Sequence, residues 1–254
     1  MQAKITSIAT HKGGTGKTVT AMALGSALAR AGQRTLLVDL DPQGHCTLGL
    51  GVELGETDFT MRDYFSEPSQ PIKRLVRETG VPGLHIVPSN IRLARVAQAL
   101  YMRPKREDLL KRGLTPMLGQ YDYMVIDCPP SLGVLTEAGI AAADLIIIPC
   151  QMEARAADGL VDLLEVVAII KGDHFQDWRI LLTKMDSRKT VTNEVVMAAL
   201  LQWEEKIFKT SIPQSEPLNQ AQIERADIFT FDARSKGALA YEALSKEILS
   251  YGRQ

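Results

Sequence analysis

A chain of 254 residues that is 45% hydrophobic and 23% charged carries enough apolar material for a sizeable buried core. Its formal net charge of −1 argues against a surface built throughout for nucleic acid, so any such contact must come from a local patch. The three cysteines, Cys46, Cys128 and Cys150, are odd in number and lack C-x-x-C spacing, which suggests neither a disulfide framework nor a zinc site and fits a reducing cytoplasm.

Met1 stands directly before the first strand, so no signal peptide is expected, and no apolar run reaches the ~20 residues of a membrane span. That strand, a β-branched run from Ile5 to Thr10, breaks into the glycine-rich stretch KGGTGKT, and an Ala-rich helical segment follows from Thr18 to Ala31. Strand, glycine loop and helix in this order form a phosphate-binding loop. Successive backbone N–H groups turn inward toward an anion, Lys17 adds a full positive charge, and the Thr18 hydroxyl is a ligand suited to Mg²⁺. The candidate nucleotide-binding residues are therefore Lys12, Gly13, Gly14, Thr15, Gly16, Lys17, Thr18 and Val19. The loop departs from the common pattern, which has glycine where this chain has His11, and it carries a second lysine, Lys12. A lysine this early cannot easily fold back onto its own phosphates. It is either a solvated loop charge or a group that reaches a nucleotide held by a second subunit.

The nearly continuous apolar run Thr35 to Asp41 reads as a strand buried on both faces and ends in the turn Pro42-Gln43-Gly44. Residues from Glu53 to Gly83 are polar and punctuated by proline and glycine, and are expected to form a surface excursion with short helical patches at Met61–Phe65 and Ile72–Arg77. Further strands are expected at Leu84–Pro88, Tyr123–Asp127, Leu145–Pro149, Arg179–Thr183 and Phe208–Pro213. Helices are expected at Ile91–Tyr101, Arg106–Leu118, Leu135–Ala143, Ala156–Lys171, Asn193–Lys206 and Lys236–Tyr251. Strands alternating with helices from end to end predict an α/β fold, a doubly wound, mainly parallel sheet flanked by helices, in a single domain over residues 1–254.

In such a sheet, ligands sit beyond the carboxyl ends of the strands. Asp39 and Asp41, two apart, are expected to project to the same side, where a carboxylate can orient a water or support a metal. Asp127 closes a hydrophobic strand and is placed to hold Mg²⁺ through water beside Thr18. Each alone could be a turn or helix cap; together with KGGTGKT they point to one nucleoside triphosphate site.

KGGTGKT resembles the deviant Walker A box of the ParA/MinD superfamily of P-loop NTPases. VDLDPQG (Val38–Gly44), YDYMVIDCPPSLG (Tyr121–Gly133), IPCQMEARAADGL (Ile148–Leu160) and FDARSKGALAYEALSKEI (Phe231–Ile248) resemble segments of ParA/Soj-type ATPases, in the same order along nearly the whole chain. The resemblance implies a slow ATP hydrolase with ATP and Mg²⁺ as ligands, stimulated by a partner. It implies that Asp41 positions the attacking water and Lys17 binds the β- and γ-phosphates. Thr18 would ligate Mg²⁺ directly, with Asp127, and Asp41 in a supporting role, acting through water. Lys12 would stabilise charge on the nucleotide of the partner subunit in an ATP-dependent homodimer, and the adenine would pack near Pro213 and Ser215. Two departures bear on this: Ser215 stands where the family has an amide, and Pro217 where an arginine often serves DNA binding. His45 also replaces the usual asparagine after DPQG.

The implied role is segregation of plasmid or chromosomal DNA with a ParB-like adaptor, through non-specific, phosphate-directed DNA contacts in the nucleoid-associated ATP state of a cytoplasmic protein. Candidate contacts are Lys184, Arg188 and Lys189, with Lys206, Lys209, Arg234 and Lys236 as further candidates, against the alternative of solvated charges. Arg103, Lys105, Arg106, Lys111 and Arg112 are interleaved with Glu107 and Asp108 and read as a solvated face. Only Met1 to Lys4 precede the first strand, so sequence-specific binding through a preceding helix-turn-helix is not expected. The competing reading is a positioning ATPase for a non-DNA cargo, MinD-like on a membrane or acting on a protein assembly. The apolar stripe Leu239, Ala243, Leu244 and Ile248 of the last helix reads more simply as a packing face than as a membrane anchor. A reductase-type relative with a shared iron–sulfur cluster would need cysteine ligands at a dimer face, whereas Cys128 reads as buried beside its strand.

Overall fold

The computed structural model describes residues 2–153 and 157–251. Its strands are β1 (Lys4–Ile8), β2 (Thr35–Asp39), β3 (Arg77–Glu78), β4 (Leu84–Val87), β5 (Tyr123–Asp127), β6 (Leu145–Gln151) and β7 (Trp178–Thr183). They form one sheet in the order β3-β4-β2-β5-β1-β6-β7, parallel throughout except for the short antiparallel edge β3. The helices are α1 (Lys17–Arg30), α2 (His45–Gly49), α3 (Met61–Ser66), α4 (Leu93–Leu100), α5 (Asp108–Leu114), α6 (Val134–Ala142), α7 (Asp158–Lys171), α8 (Thr190–Ala199), α9 (Glu216–Ile223), α10 (Ile228–Asp232) and α11 (Lys236–Tyr251). The beginning expected for the helix at Ala156 lies outside the described residues.

The sheet is covered on both faces, which is why its central strands are apolar without alternation. Met124 and Ile126 of β5 join Ile5, Leu36 and Ile146 in a core roofed by α3 to α7. Tyr123 and Val125 point the other way, into a core shared with Leu24 and Leu28 of α1 and Leu244 and Ile248 of α11. Because β1 lies between β5 and β6, Ile8 pairs with Asp127, and Asp127 pairs in turn with Asp39 on β2. The carboxyl ends of β1, β2 and β5 therefore meet at one point on the rim, where strands diverge to either side of β1 and a crevice forms.

Several elements depart from expectation. The excursion over 53–83 is not merely superficial: Met61, Tyr64, Phe65, Ile72 and Leu75 are buried in the main core, and the Tyr64 hydroxyl donates to Leu109 O at 2.6 Å. The expected strand Phe208–Pro213 forms only bridges at Ile207 and Pro213. Phe208 N and Ile212 N donate to Ile180 O and Leu182 O, but the amides between, Lys209 N and Thr210 N, are captured by the Glu247 carboxylate at 2.9 and 3.0 Å. A side chain thus replaces the ladder. The helix expected at Asn193–Lys206 starts earlier, at Thr190, and gives way after Ala199 to a 3-10 segment, Leu201–Lys206, in which Trp203 is non-helical. In α11 the buried face is Gly237, Ala238, Tyr241, Leu244, Ser245 and Ile248, so Leu239 and Ala243, expected in the packed stripe, lie outside it.

Candidate functional site

The loop after β1 closes onto α1 through Gly16, whose φ of 94° is a left-handed conformation that glycine adopts without a steric penalty. Lys17, the first helical residue, is buried, and its Nζ donates to the Lys12 carbonyl at 3.1 Å. Burial lowers the Lys17 pKa, and the nearby Asp127, Cys128 and Asp41 work against that shift. On the far side, the Thr183 hydroxyl at the end of β7 donates to Thr15 O at 2.9 Å and holds the loop from below.

The three strand-end carboxylates have different surroundings. Asp127 is fully buried, and neither carboxylate oxygen has a hydrogen-bond partner. Burial pushes its pKa well above the usual range and Asp39 adds to this, while Thr18 and Lys17 favour the charged form without satisfying it. Asp39 and Asp41 do not face the same way. β2 ends at Asp39, whose oxygens accept from Thr47 N (2.9 Å), Thr47 Oγ1 (2.7 Å) and Asp41 N (3.0 Å), so Asp39 anchors α2 and is not presented to a ligand. Burial nonetheless pushes its pKa up to about 7. Asp41, beyond the strand, accepts from Gln43 N at 2.9 Å and is the member of the pair that lines the crevice. Gly44 has a φ of 64° and a Cβ there would lie 2.9 Å from Ser89 O, so the turn that presents Asp41 requires glycine.

The crevice is a cavity of about 780 Å³ lined by Gly13, Gly16, Lys17, Thr18 and Asp41, with His45, Lys184 and Arg225 also in its lining. A smaller cavity of about 140 Å³ adjoins it, sharing Gly16, Val19, Lys184 and Asn219, and is lined also by Thr15, Pro213 and Ser215. Phosphate-loop residues and the expected base-contact residues thus sit around two connected spaces. Lys12 does not line the larger one: its Nζ donates to Glu153 Oε2 at 2.9 Å, and beside it His11 Nδ1 lies 3.1 Å from Asp162 Oδ2.

The basic residues Lys184, Arg188 and Lys189 do not form one patch. Lys184 lines both cavities. Arg188 is gripped by Asp186, Nε to Oδ1 at 2.9 Å and Nη2 to Oδ2 at 2.8 Å, an arrangement that holds the Asp186 pKa at about 2. Lys189 is exposed just before α8. Among the further candidates, Lys206 donates to Gln176 O at 2.7 Å and lies over the Trp178 ring, an anchored position. The side-chain partner of Asp39, Thr47, and the cavity-lining Asn219 and Arg225 carried no signal in the sequence; Thr183 could have been found from its place at a strand end.

A phosphate loop at the carboxyl end of a central parallel strand, faced by a buried carboxylate from the adjacent strand, defines the class of P-loop NTPases. Residues 3–180 match the AAA domain family. The chain is 38% identical over 252 residues to the sporulation initiation inhibitor protein Soj of Bacillus subtilis, covering 98% of this chain and 99% of that one. It is 36% identical over 249 residues to the chromosome partitioning protein ParA of Myxococcus xanthus, covering 97% and 88% respectively. Cobyrinic acid a,c-diamide synthase of Mycobacterium smegmatis, solved with an ATP analogue and magnesium, superposes with a TM-score of 0.84 at 32% identity, covering 99% of this chain and 96% of that one. The chain belongs to the ParA/Soj family of partition ATPases.

Proposed function

We propose that this protein is an ATP hydrolase that dimerises on binding ATP and Mg²⁺, holds DNA non-specifically in that state, and segregates DNA with a ParB-like adaptor that stimulates hydrolysis. The observation that carries the chemistry is the cluster at the head of α1: the buried Lys17 and the half-buried Thr18 line the crevice, and the fully buried Asp127 carboxylate lies behind them, its charged form favoured by both. Hard oxygen donors of this kind suit Mg²⁺, with Thr18 a direct ligand and Asp127 and Asp41 acting through water. Mg²⁺, when bound, neutralises charge on the phosphate oxygens. Lys17 holds the β- and γ-phosphates at the head of α1, and backbone N–H groups of the loop point at the same anion. Asp41 orients the attacking water. His45 lines the crevice with Asp41, but positioning and charge supply the catalysis and unstimulated turnover is slow. Pro213 and Ser215 border the adenine.

Relatives that match along almost the full chain and are named for chromosome partitioning support DNA as the cargo. Arg188 and Lys189 remain the outward-facing candidates for phosphate contact. A MinD-like membrane reading has less support, because Leu244 and Ile248 of α11 are packed into the core. No helix among the described residues is long and apolar enough to cross a membrane. The test is gel filtration, ATPase assay and retention on non-specific DNA, with ATP and Mg²⁺, for the natural protein and for Lys12→Ala. The natural protein should dimerise, hydrolyse ATP and be retained in a salt-sensitive way. Lys12→Ala should remain a monomer and lose hydrolysis; an undiminished dimer overturns the cross-subunit role.

A further inference from the structure

Among the described residues, three that are not glycine have positive φ: Lys105, Lys184 and Arg225. Two of them, Lys184 (φ 52°) and Arg225 (φ 51°), line the same crevice. A left-handed backbone at a lysine is strained and persists only where its surroundings over-determine it. Here they do. Thr183 is tied through its hydroxyl to the phosphate loop, Met185 N donates to Ile212 O at 3.0 Å, and Gln214 N donates to Met185 O at 2.9 Å. The residue between these anchors sits past the end of the edge strand, in the lining shared by the phosphate crevice and the smaller cavity. Lys184 is exposed, and its ammonium has no hydrogen-bond or ion-pair partner among the described residues; the Asp186 carboxylate two residues on is engaged by Arg188. An unneutralised cation sits where the two spaces meet.

We infer that Lys184 is a nucleotide-binding residue, contacting the ribose–α-phosphate portion of the nucleotide, and not part of a DNA surface. The inference rests on the proposed nucleotide site and deepens it. A nucleotide with its terminal phosphates at Gly13–Thr18 and its base beside Pro213 must pass its sugar and first phosphate through the shared boundary, which is lined by Gly16, Val19, Lys184 and Asn219. Lys184 supplies the positive charge there. It therefore acts on ATP and ADP alike, whereas a contact to the γ-phosphate would favour ATP.

The test is equilibrium binding of fluorescent ATP and ADP analogues with Mg²⁺ to the natural protein, Lys184→Gly, Lys184→Arg and Lys17→Ala, with DNA retention measured at saturating ATP. Glycine removes the charge while relieving the backbone, so a purely structural role would leave its binding unchanged. Lys184→Gly should weaken both nucleotides by about tenfold, the scale of a lost charged hydrogen bond, and Lys184→Arg should restore most of the affinity. DNA retention at saturation should match that of the natural protein. Equal ADP affinity in Lys184→Gly, a loss confined to ATP, or lost DNA retention with intact nucleotide binding would each overturn the inference. Absence of saturable binding by the natural protein, or undiminished binding by Lys17→Ala, would instead overturn the proposed nucleotide site itself.

Discussion

Asp39, Asp41 and Asp127 show how far identical side chains diverge within one strand-end cluster. Asp39 accepts three hydrogen bonds and works as an internal fastener, Asp41 opens onto the crevice, and Asp127 is buried without a partner. The folded chain holds the Asp39 proton up to about pH 7, against about 3.9 for an unfolded aspartate. Its contribution to stability is therefore complete below about pH 4 and is lost as pH rises through about 7. Asp39→Asn cannot ionise, so the difference in thermal midpoint between the natural protein and this variant should shift in favour of the variant between about pH 5 and about pH 8. A pH-independent difference would show that Asp39 is ionised throughout. The phosphate loop and the identities of these carboxylates were legible in the sequence because glycine, lysine and strand-end aspartate have local signatures. The division of labour between Asp39 and Asp41 was not, because it depends on β2 ending one residue before the two side chains can share a face.

At the scale of elements, α6 turns Gly139 toward the sheet, where there is no room for a Cβ. A Cβ there would lie 2.6 Å from the Cys128 sulfur and 3.2 Å from the Ser7 hydroxyl, two groups that are themselves 3.2 Å apart. Overpacking of this kind costs about 1–3 kcal/mol, against about 1 kcal/mol by which alanine is the better helix former. Gly139→Ala should lower the denaturation midpoint, and adding Cys128→Ala should recover part of the loss; additive losses would place the strain elsewhere. Strands buried on both faces could be read from their apolar runs, and the long helices from their periodicity. What could not be read was competition from distant side chains: Glu247 takes the amides that would have made 208–213 a strand. The burial of Tyr64 is likewise set by α5, far along the chain, through Leu109 O and the close approach of Gly113.

Over the whole molecule, alternation of strands and helices announced a parallel sheet, but not the insertion of β5 between β1 and β2, since strand order follows from which helices cover which face. That order brings Asp127 to the phosphate loop. It also brings Glu153, just past β6, within reach of Lys12. This pair is exposed, with side chains 42% and 49% accessible, so it contributes on the order of 0.2–1 kcal/mol. In the proposed dimer Lys12 must leave Glu153 for the other subunit's nucleotide, and the free subunit resists that exchange by no more than about fivefold. Glu153→Gln should tighten ATP-dependent association within that limit, as read from a concentration series by sedimentation; tightening of a hundredfold would mean that Glu153 restrains more than this lysine. Ionic strength then has opposed effects. Added salt loosens the exposed Lys12–Glu153 contact more than a lysine enclosed against phosphates, while it strips the protein from DNA. Over a moderate range, salt should leave the ATP dimer assembled while emptying it from the nucleic acid, separating assembly from cargo without a mutation.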